Sequence, residues 1–347
     1  MKSFNYIIIL VIFLKTGNVL SDNNLFNVNN IEITNKSSSN NEIFANQAIK
    51  QGFNELIERV LLKEDMAKVK NQEFKIIKNL VSYYQIVDEQ NDSKEKTKKF
   101  NIFFDKDKLH NLFFSKGISY SDILKNELYL LPILKKQNQL FIYTQNYFYE
   151  NWNKINEDEI LDFNLPLENI ETIQKINIHR NSLLDLDLRD LFLEYTKKNL
   201  ALVLINDTNS AEEKIFLKTI IMGKLISKNL LVKRSNLSEE EFYENIIKRI
   251  KKEIIDLAKS QNLIDISTPS FINTKFNLDK KNNNLVELRK RINKIDLIEN
   301  IYVQEFNKDY VLLKIKYLGK IDKIIDQLRD QKILLQLSQD LWSLKII

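Results

Sequence analysis

The sequence predicts an α+β or α/β protein built from several small mixed-sheet modules, the last of which is a ferredoxin-like split βαβ unit. Three observations predict this class. Segments with strand-like alternation of apolar and polar residues are interspersed with segments of helical periodicity along the chain. Residues 199–206 (NLALVLIN) form a continuous apolar run, which is typical of a strand covered on both faces. Residues 270–347 show the element order β-α-β-β-α-β.

Residues 22–122 are expected to form an N-terminal α+β module. Residues 26–34 alternate as a strand, and a helix follows, with apolar residues at Ile49, Phe53, Leu56 and Val60. The further predicted elements are a short helix at 74–80, a hairpin of strands at 81–89 and 98–104, and a helix at 106–116 that Gly117 ends. A strand at 128–134 could complete the sheet of this module.

Residues 123–269 are expected to form a central α/β domain. Its first predicted elements are strands at 127–135 and 139–143, a short helix at 146–155 and the buried strand at 199–206. The clearest helix of the chain is predicted at 238–262, because Ser238 and Glu241 form an S-x-x-E capping box ahead of an apolar stripe.

Residues 270–347 are expected to form the ferredoxin-like module. The predicted order is a strand at 271–277, a helix through Leu285, Leu288, Ile292 and Ile295, a hairpin at 301–306 and 310–318, a helix at 320–329, and one or two strands at 333–346.

The composition excludes several chemistries. The chain has 347 residues and no cysteine, which excludes disulfides, thiolate metal sites and a cysteine nucleophile. Its two histidines, His110 and His179, leave little for a histidine-based metal site. The five glycines do not form the spacing of a phosphate-binding loop. We therefore expect no cofactor.

Residues 1–21 have the pattern of a secretory signal peptide. Lys2 precedes an apolar or aromatic run at 6–14, and Val19 and Ser21 suit a cleavage site before Asp22. A buried strand or an uncleaved anchor is the alternative. No later run is long enough to span a bilayer, so the sequence predicts no further transmembrane span and a periplasmic location after cleavage.

Several stretches together resemble a known family. They are 46–49 (NQAI) leading into 51–60 (QGFNELIERV), 81–89 (VSYYQIVDE), 130–133 (LLPI) and, more weakly, 195–204 and 317–319 with 342–344. This distributed pattern is similar to the proteobacterial family known as domain of unknown function 2066. The resemblance implies an exported proteobacterial protein, and it implies no activity and no functional residues.

Two sets of charged residues are candidate sites. Arg59 could pair with Asp88 and Glu89, either as a structural ion pair between helix and hairpin or as a binding site, and the structural pair is favoured. Asp185 and Asp187 could place two carboxylates on one face of an extended segment, as in a divalent-ion site or an acid–base pair. The leucines that alternate with them favour a half-buried strand instead.

Aromatic and basic residues suggest interaction surfaces. Tyr147 and Trp152 lie in an aromatic cluster that could stack on sugars or on a partner protein, although a core role is more common for such a cluster. Without Lys2 and Lys15 the chain carries 50 basic and 47 acidic residues, a net charge of +3, so we expect no nucleic-acid partner. Weak contact of the lysine-rich helices with an anionic surface is the remaining electrostatic hypothesis.

Three functions are compatible with these patterns. The leading prediction is a non-enzymatic accessory or scaffold of the cell envelope that acts through contacts with an envelope protein, because the predicted modules have open sheet edges and no reactive constellation. The second is a periplasmic binding module for a small molecule or glycan. A carboxylate-based hydrolase ranks last.

Overall fold

Three open sheets with helices packed against them organise the chain, which confirms the predicted fold class. The computed structural model describes residues 25–35, 40–91, 96–123, 126–155, 160–234, 237–278, 284–338 and 341–347. The predicted signal peptide, residues 1–21, lies outside this part of the chain.

The strands are β1 (Asn27–Asn35), β2 (Val81–Asn91), β3 (Lys96–Phe104), β4 (Tyr120–Ser121), β5 (Asn126–Lys136), β6 (Gln139–Phe141), β7 (Leu161–Asn164), β8 (Asn199–Asp207), β9 (Glu212–Ile221), β10 (Lys224–Lys233), β11 (Leu263–Ile264), β12 (Ser270–Asn277), β13 (Ile298–Phe306), β14 (Tyr310–Tyr317), β15 (Ile333–Ser338) and β16 (Leu341–Ile346). The α-helices are α1 (Asn41–Val60), α2 (Lys63–Val69), α3 (Phe74–Leu80), α4 (Lys106–Ser115), α5 (Tyr147–Asn151), α6 (Ile170–Ile178), α7 (Leu188–Leu191), α8 (Glu239–Gln261), α9 (Asn284–Ile292) and α10 (Ile321–Asp330).

The N-terminal module is a three-stranded sheet in the order β1-β3-β2, covered by α1. Because β3 is antiparallel to both neighbours, β1 and β2 run parallel with β3 between them, which is a split βαβ arrangement. α1 begins where the Asn40 side chain accepts the Glu42 amide at 2.9 Å. It lies close to the sheet at Gly52, where an added Cβ would lie 2.7 Å from Ile31 Cδ1.

The central domain has helices on both faces of its sheet. The strand order is β10-β9-β8-β5-β6, and β7 also pairs with β5. Residues Ala201, Val203 and Ile205 of β8 pack in the core beneath α8, whereas Leu200 and Leu202 pack on the opposite face with Leu183, Leu186, Leu188 and Leu191. This confirms that the apolar run at 199–206 is a strand covered on both faces.

The C-terminal module contains the predicted split βαβ unit and one additional strand. Its order is β13-β14-β12-β16-β15, with β14 antiparallel to both β12 and β13. The last two strands form a hairpin, and β16 inserts parallel to β12 while β15 takes the outer edge. The ferredoxin-like core is therefore extended from four to five strands.

The N-terminal and C-terminal modules share one continuous hydrophobic core. β4 and β11 pair between them as a short antiparallel ribbon, and Lys259 at the end of α8 donates to the carbonyl oxygens of Glu58 and Leu61. The predicted strand at 128–134 does not complete the N-terminal sheet, because it belongs to β5 and pairs with β8 in the central domain. β5 is buried along most of its length, and an interior strand satisfies this pattern best.

A helix that crosses a bilayer needs about 20 predominantly apolar residues. Among the residues that the structure describes, no helix is long and apolar enough to do so.

Candidate functional site

A pocket opens at the carboxyl ends of two parallel strands in the central domain. β5 ends at Lys136 and β8 ends at Asp207, and these two residues are register partners. The cavity has a volume of about 430 Å³, within the size range of small-ligand sites. Ligands of open α/β sheets bind outside the carboxyl ends of the strands, so the topology favours this place for a site.

Asp207 is the buried centre of the polar network beneath this pocket. Its side chain is only 2% exposed, and Arg234 Nη2 lies 2.7 Å from Oδ1. The Asn209 amide also donates to Oδ1 at 3.0 Å, and the Tyr243 hydroxyl donates to Oδ2. Burial works to raise the pKa of Asp207, but the hydrogen bonds from Tyr243 and Asn209 and the charges of Arg234 and Lys136 outweigh it and lower the pKa. The carboxyl group is therefore held ionised.

Tyr243 connects this network to the pocket. Burial and the hydrogen bond to Asp207 raise the pKa of its phenol far above its ordinary value, so the hydroxyl stays protonated and donates. Lys136 Nζ lies 3.5 Å from the same hydroxyl and 2.6 Å from Glu239 Oε1. The hydrogen bond from Lys136 lowers the pKa of Glu239. Charged groups of both signs thus sit at the floor and rim of the cavity.

A second buried carboxylate, that of Glu213, lies close to Arg234. Glu213 is 1% exposed, and its Oε1 lies 3.8 Å from Arg234 Nη2. It accepts the Thr208 amide at 3.0 Å and the Ser210 amide at 2.7 Å, which anchors the turn between β8 and β9. Arg234 is consequently held between two buried carboxylates, as burial of a charge requires.

Tyr147 forms the aromatic wall of the pocket, together with Phe141 and Tyr243. The rings of Tyr147 and Tyr243 are 5.3 Å apart and tilted by 53°. The preceding residue, Asn146, is fully buried and donates to the carbonyls of Pro132 and Ile142, both at 2.8 Å, while it caps α5. Such a site can bind a small polar ligand with one flat or apolar side.

The other aromatic and acidic candidates lie elsewhere. Trp152 is fully buried in the core beneath α8. Its candidate role in an interaction surface is therefore wrong, and the core role that is more common for such a cluster is the one found. Asp185 ends a 3-10 turn and Asp187 caps α7 through the Arg189 amide at 2.9 Å, and both carboxylates are exposed. The half-buried strand expected there is a pair of short helical turns, whose leucines pack on the face of the central sheet opposite α8.

Arg59 has hydrogen bonds at the start of the N-terminal sheet. Its Nη2 donates to the carbonyls of Leu25 and Asn27 at 2.6 and 2.7 Å. Asn27 pairs with Phe103, whereas Asp88 pairs with Lys99 further along β3. The side chains of Asp88 and Glu89 lie outside the described residues, so their ion pair with Arg59 stays a prediction.

Five functional residues were not predicted from the sequence: Lys136, Glu239 and Tyr243 of the pocket lining, and Asp207 and Arg234 of the network beneath it. One available signal was that Asp207 directly follows the apolar run 199–206, since polar residues at the carboxyl ends of parallel strands mark binding sites. The pairing of β5 with β8, which brings Lys136 there, cannot be derived from local periodicity. Within the described ranges, no group of three or more His, Asp or Glu side chains is arranged to hold a metal ion.

A second candidate surface is the edge strand β2. In the described part of the chain, β2 pairs on one side only, with β3. Four of its apolar side chains are 43–54% exposed: Tyr83, Tyr84, Ile86 and Val87. Tyr84 and Ile86 share the α1 face of the sheet with their partners Ile102 and Phe100, whereas Tyr83 stacks on Phe103 of the other face at 4.2 Å. Apolar groups therefore flank an open row of backbone donors and acceptors.

Comparison with known proteins identifies no family. No family model matches the sequence, and no curated protein is significantly similar to it. A crystal structure of an uncharacterized protein is similar at 9% identity, covering 39% of this chain and 92% of that chain, with a TM-score of 0.17. A similarity this weak carries no conclusion about function.

Proposed function

We propose that this protein is a non-enzymatic, exported protein of the cell envelope that binds a partner protein through β2. The observation that supports the proposal is the open edge of β2 with apolar side chains on both faces. Monomeric proteins normally protect such edges with charge, proline or a covering element. Here the stretch from Ser82 to Val87 has no charged residue, and all six side chains are exposed.

The occupant we propose is an extended segment of the partner, added to the sheet as a further strand. Backbone hydrogen bonds along the edge would supply affinity, and alternate side chains of the segment would contact the two apolar faces. Tyr84 and Ile86 would contact one face of that segment, and Tyr83 the other.

Site-specific photo-crosslinking tests this proposal. A crosslinking residue at Ile86 should capture one envelope protein. The control position is Leu231, a more exposed apolar residue on another edge strand, β10, and a crosslinking residue there should not capture it. The purified partner should then bind the wild-type protein and the Leu231→Lys variant equally. Its affinity for Ile86→Lys should fall at least about tenfold, which corresponds to about 1.4 kcal/mol. Equal binding to both variants would disprove β2 as the docking edge.

Export itself rests on residues 1–21 and on the family resemblance. Cell fractionation followed by mass spectrometry of the mature N-terminus tests it. A periplasmic chain beginning near Asp22 supports export. An intact Met1 in the cytoplasm would overturn both the location and the envelope function.

A second candidate function is binding of a small polar ligand in the pocket beside Tyr147. It is favoured by the aromatic wall and the charged floor at the carboxyl ends of β5 and β8. A thermal-shift screen with small amines, organic acids and monosaccharides should give a compound that stabilises the wild-type protein. That stabilisation should disappear in Tyr147→Ala and persist in Phe114→Ala, which removes an exposed ring on α4. A screen without a stabilising compound, or equal loss in both variants, would reject the pocket.

A further inference from the structure

The C-terminal sheet has one face that no element covers within the described ranges. The odd-numbered residues of β14, from Val311 to Tyr317, are buried beneath α9 and α10, whereas the even-numbered residues point to the other face and are half-exposed. In β12 the buried residues are Ile272, Thr274 and Phe276, and Phe271 and Asn273 are exposed. The sheet is therefore packed on one side and open on the other.

Two lysines pair with two aromatic rings on this open face. Lys275 Nζ lies 4.4 Å from the ring centroid of Tyr310, and Lys314 Nζ lies 4.5 Å from that of Phe271. Both pairs are diagonal neighbours across β12 and β14, because Lys275 is opposite Leu312 and Lys314 is opposite Asn273. Each ring holds an ammonium group in place by a cation–π interaction.

The charge on this face is mainly positive, although Glu305, opposite Leu312, also lies on it and accepts the Tyr310 hydroxyl at 2.8 Å. Lys275 and Lys314 form no ion pair within the part of the chain that the structure describes, whereas Lys316 is bonded to Glu299 at 2.7 Å. Lys275 and Lys314 are diagonal neighbours of each other, since Lys275 is opposite Leu312, and such neighbours lie about 7 to 8 Å apart. The exposed amides of Asn273 and Gln336 lie on the same sheet and can bind hydroxyl groups.

We propose that this open sheet face binds an anionic polysaccharide, with Lys275 and Lys314 contacting its acidic groups and the neighbouring amides contacting its hydroxyls. Charge complementarity supports a polyanion. The rings point to a glycan over single-stranded nucleic acid, because bases stack on free aromatic faces and one face of each ring, Phe271 and Tyr310, already carries an ammonium group. The site is separate from β2 and from the pocket beside Tyr147, so it stands independently of the proposed function.

Binding to polygalacturonate at low ionic strength tests the inference, with neutral dextran and poly(dT) as comparison probes. The wild-type protein should bind polygalacturonate and not dextran, and binding should weaken as salt is added. The double variant Lys275→Gln/Lys314→Gln should bind at least about tenfold more weakly, because it removes two charge-assisted contacts. Lys275→Arg/Lys314→Arg should retain binding.

The matched control is Lys290→Gln/Lys294→Gln, which removes the same charge from the helix-covered side of this module. Its affinity for polygalacturonate should change less than about twofold, since those lysines are not on the open face. Equal loss in both double variants would show attraction by net charge alone and overturn the site. Absence of binding by the wild-type protein, or tighter binding of poly(dT) than of polygalacturonate, would overturn it as well.

Discussion

Removal of the Asp207 carboxylate should destabilise the central domain strongly. In Asp207→Ala, the Tyr243 hydroxyl and the Asn209 amide lose their acceptor, and Arg234 loses its 2.7 Å partner. Breaking a buried ion pair by deleting one member costs about 3 to 5 kcal/mol. We expect a value near the lower limit, about 3 kcal/mol, because Arg234 keeps Glu213 at 3.8 Å and Lys136 keeps Glu239.

Urea unfolding followed by circular dichroism measures this loss as a change in the free energy of unfolding. The matched control is Glu127→Ala, which breaks an equally short ion pair, 2.6 Å to Lys198, at a site where both side chains are about half exposed. The control should lose less than about 1 kcal/mol. Tyr243→Phe should fall between the two variants, since it deletes one hydrogen bond to a charged group and keeps the ring. If Asp207→Ala and Glu127→Ala cost the same, the buried network does not stabilise the domain.

Three further predictions concern stability. Burial lowers the pKa of His110 from 6.5 to about 4, with Lys106 adding to the shift, so the folded protein disfavours the proton that the unfolded chain binds below pH 6.5. The free energy of unfolding should therefore fall as the pH drops from 6.5 towards 4, by about 2 kcal/mol at pH 5. Urea unfolding should show a smaller fall in His110→Phe. Identical pH profiles of the wild-type protein and the variant would contradict this. Gly52→Ala should cost up to about 2 kcal/mol in thermal unfolding, because its Cβ would lie 2.7 Å from Cδ1 of the buried Ile31 while the helix preference of alanine offsets about 0.5 to 1 kcal/mol. An unchanged melting temperature would show that the Ile31 side chain moves aside. Lys259→Met should cost about 1 to 3 kcal/mol, because the carbonyls of Glu58 and Leu61 lose a buried donor. The exposed control Lys75→Met should leave stability unchanged. Equal effects of the two variants would argue against Lys259 as a link between α8 and α1.

The open edge of β2 and the open face of the C-terminal sheet lie in different modules with different chemistry. The exposed part of β2 is uncharged and mainly apolar, and the C-terminal face is rich in lysine. The two surfaces can therefore be tested by separate variants, since Ile86→Lys leaves the lysine–aromatic pairs of the C-terminal face intact. One protein could then contact a partner chain and an anionic polymer at the same time.

Much of the secondary structure follows from the sequence alone. α8 begins at the Ser238–Glu241 capping box and buries its apolar stripe as the helical spacing predicts. β12 and β14 alternate between buried and open faces as their period of two predicts. The capping residues and the spacing of the apolar residues are properties of short segments, so the local pattern contains them.

The pairing of distant strands was decided only by the tertiary structure. β5 pairs with β8 although α5, α6 and α7 lie between them in the sequence, and β16 inserts between β12 and β15. The Asp207 network likewise combines the end of β8, the residue after β10 and the first turns of α8. Periodicity reports which face of an element is apolar, whereas strand order and the burial of charge depend on which distant surfaces and counter-charges meet in three dimensions.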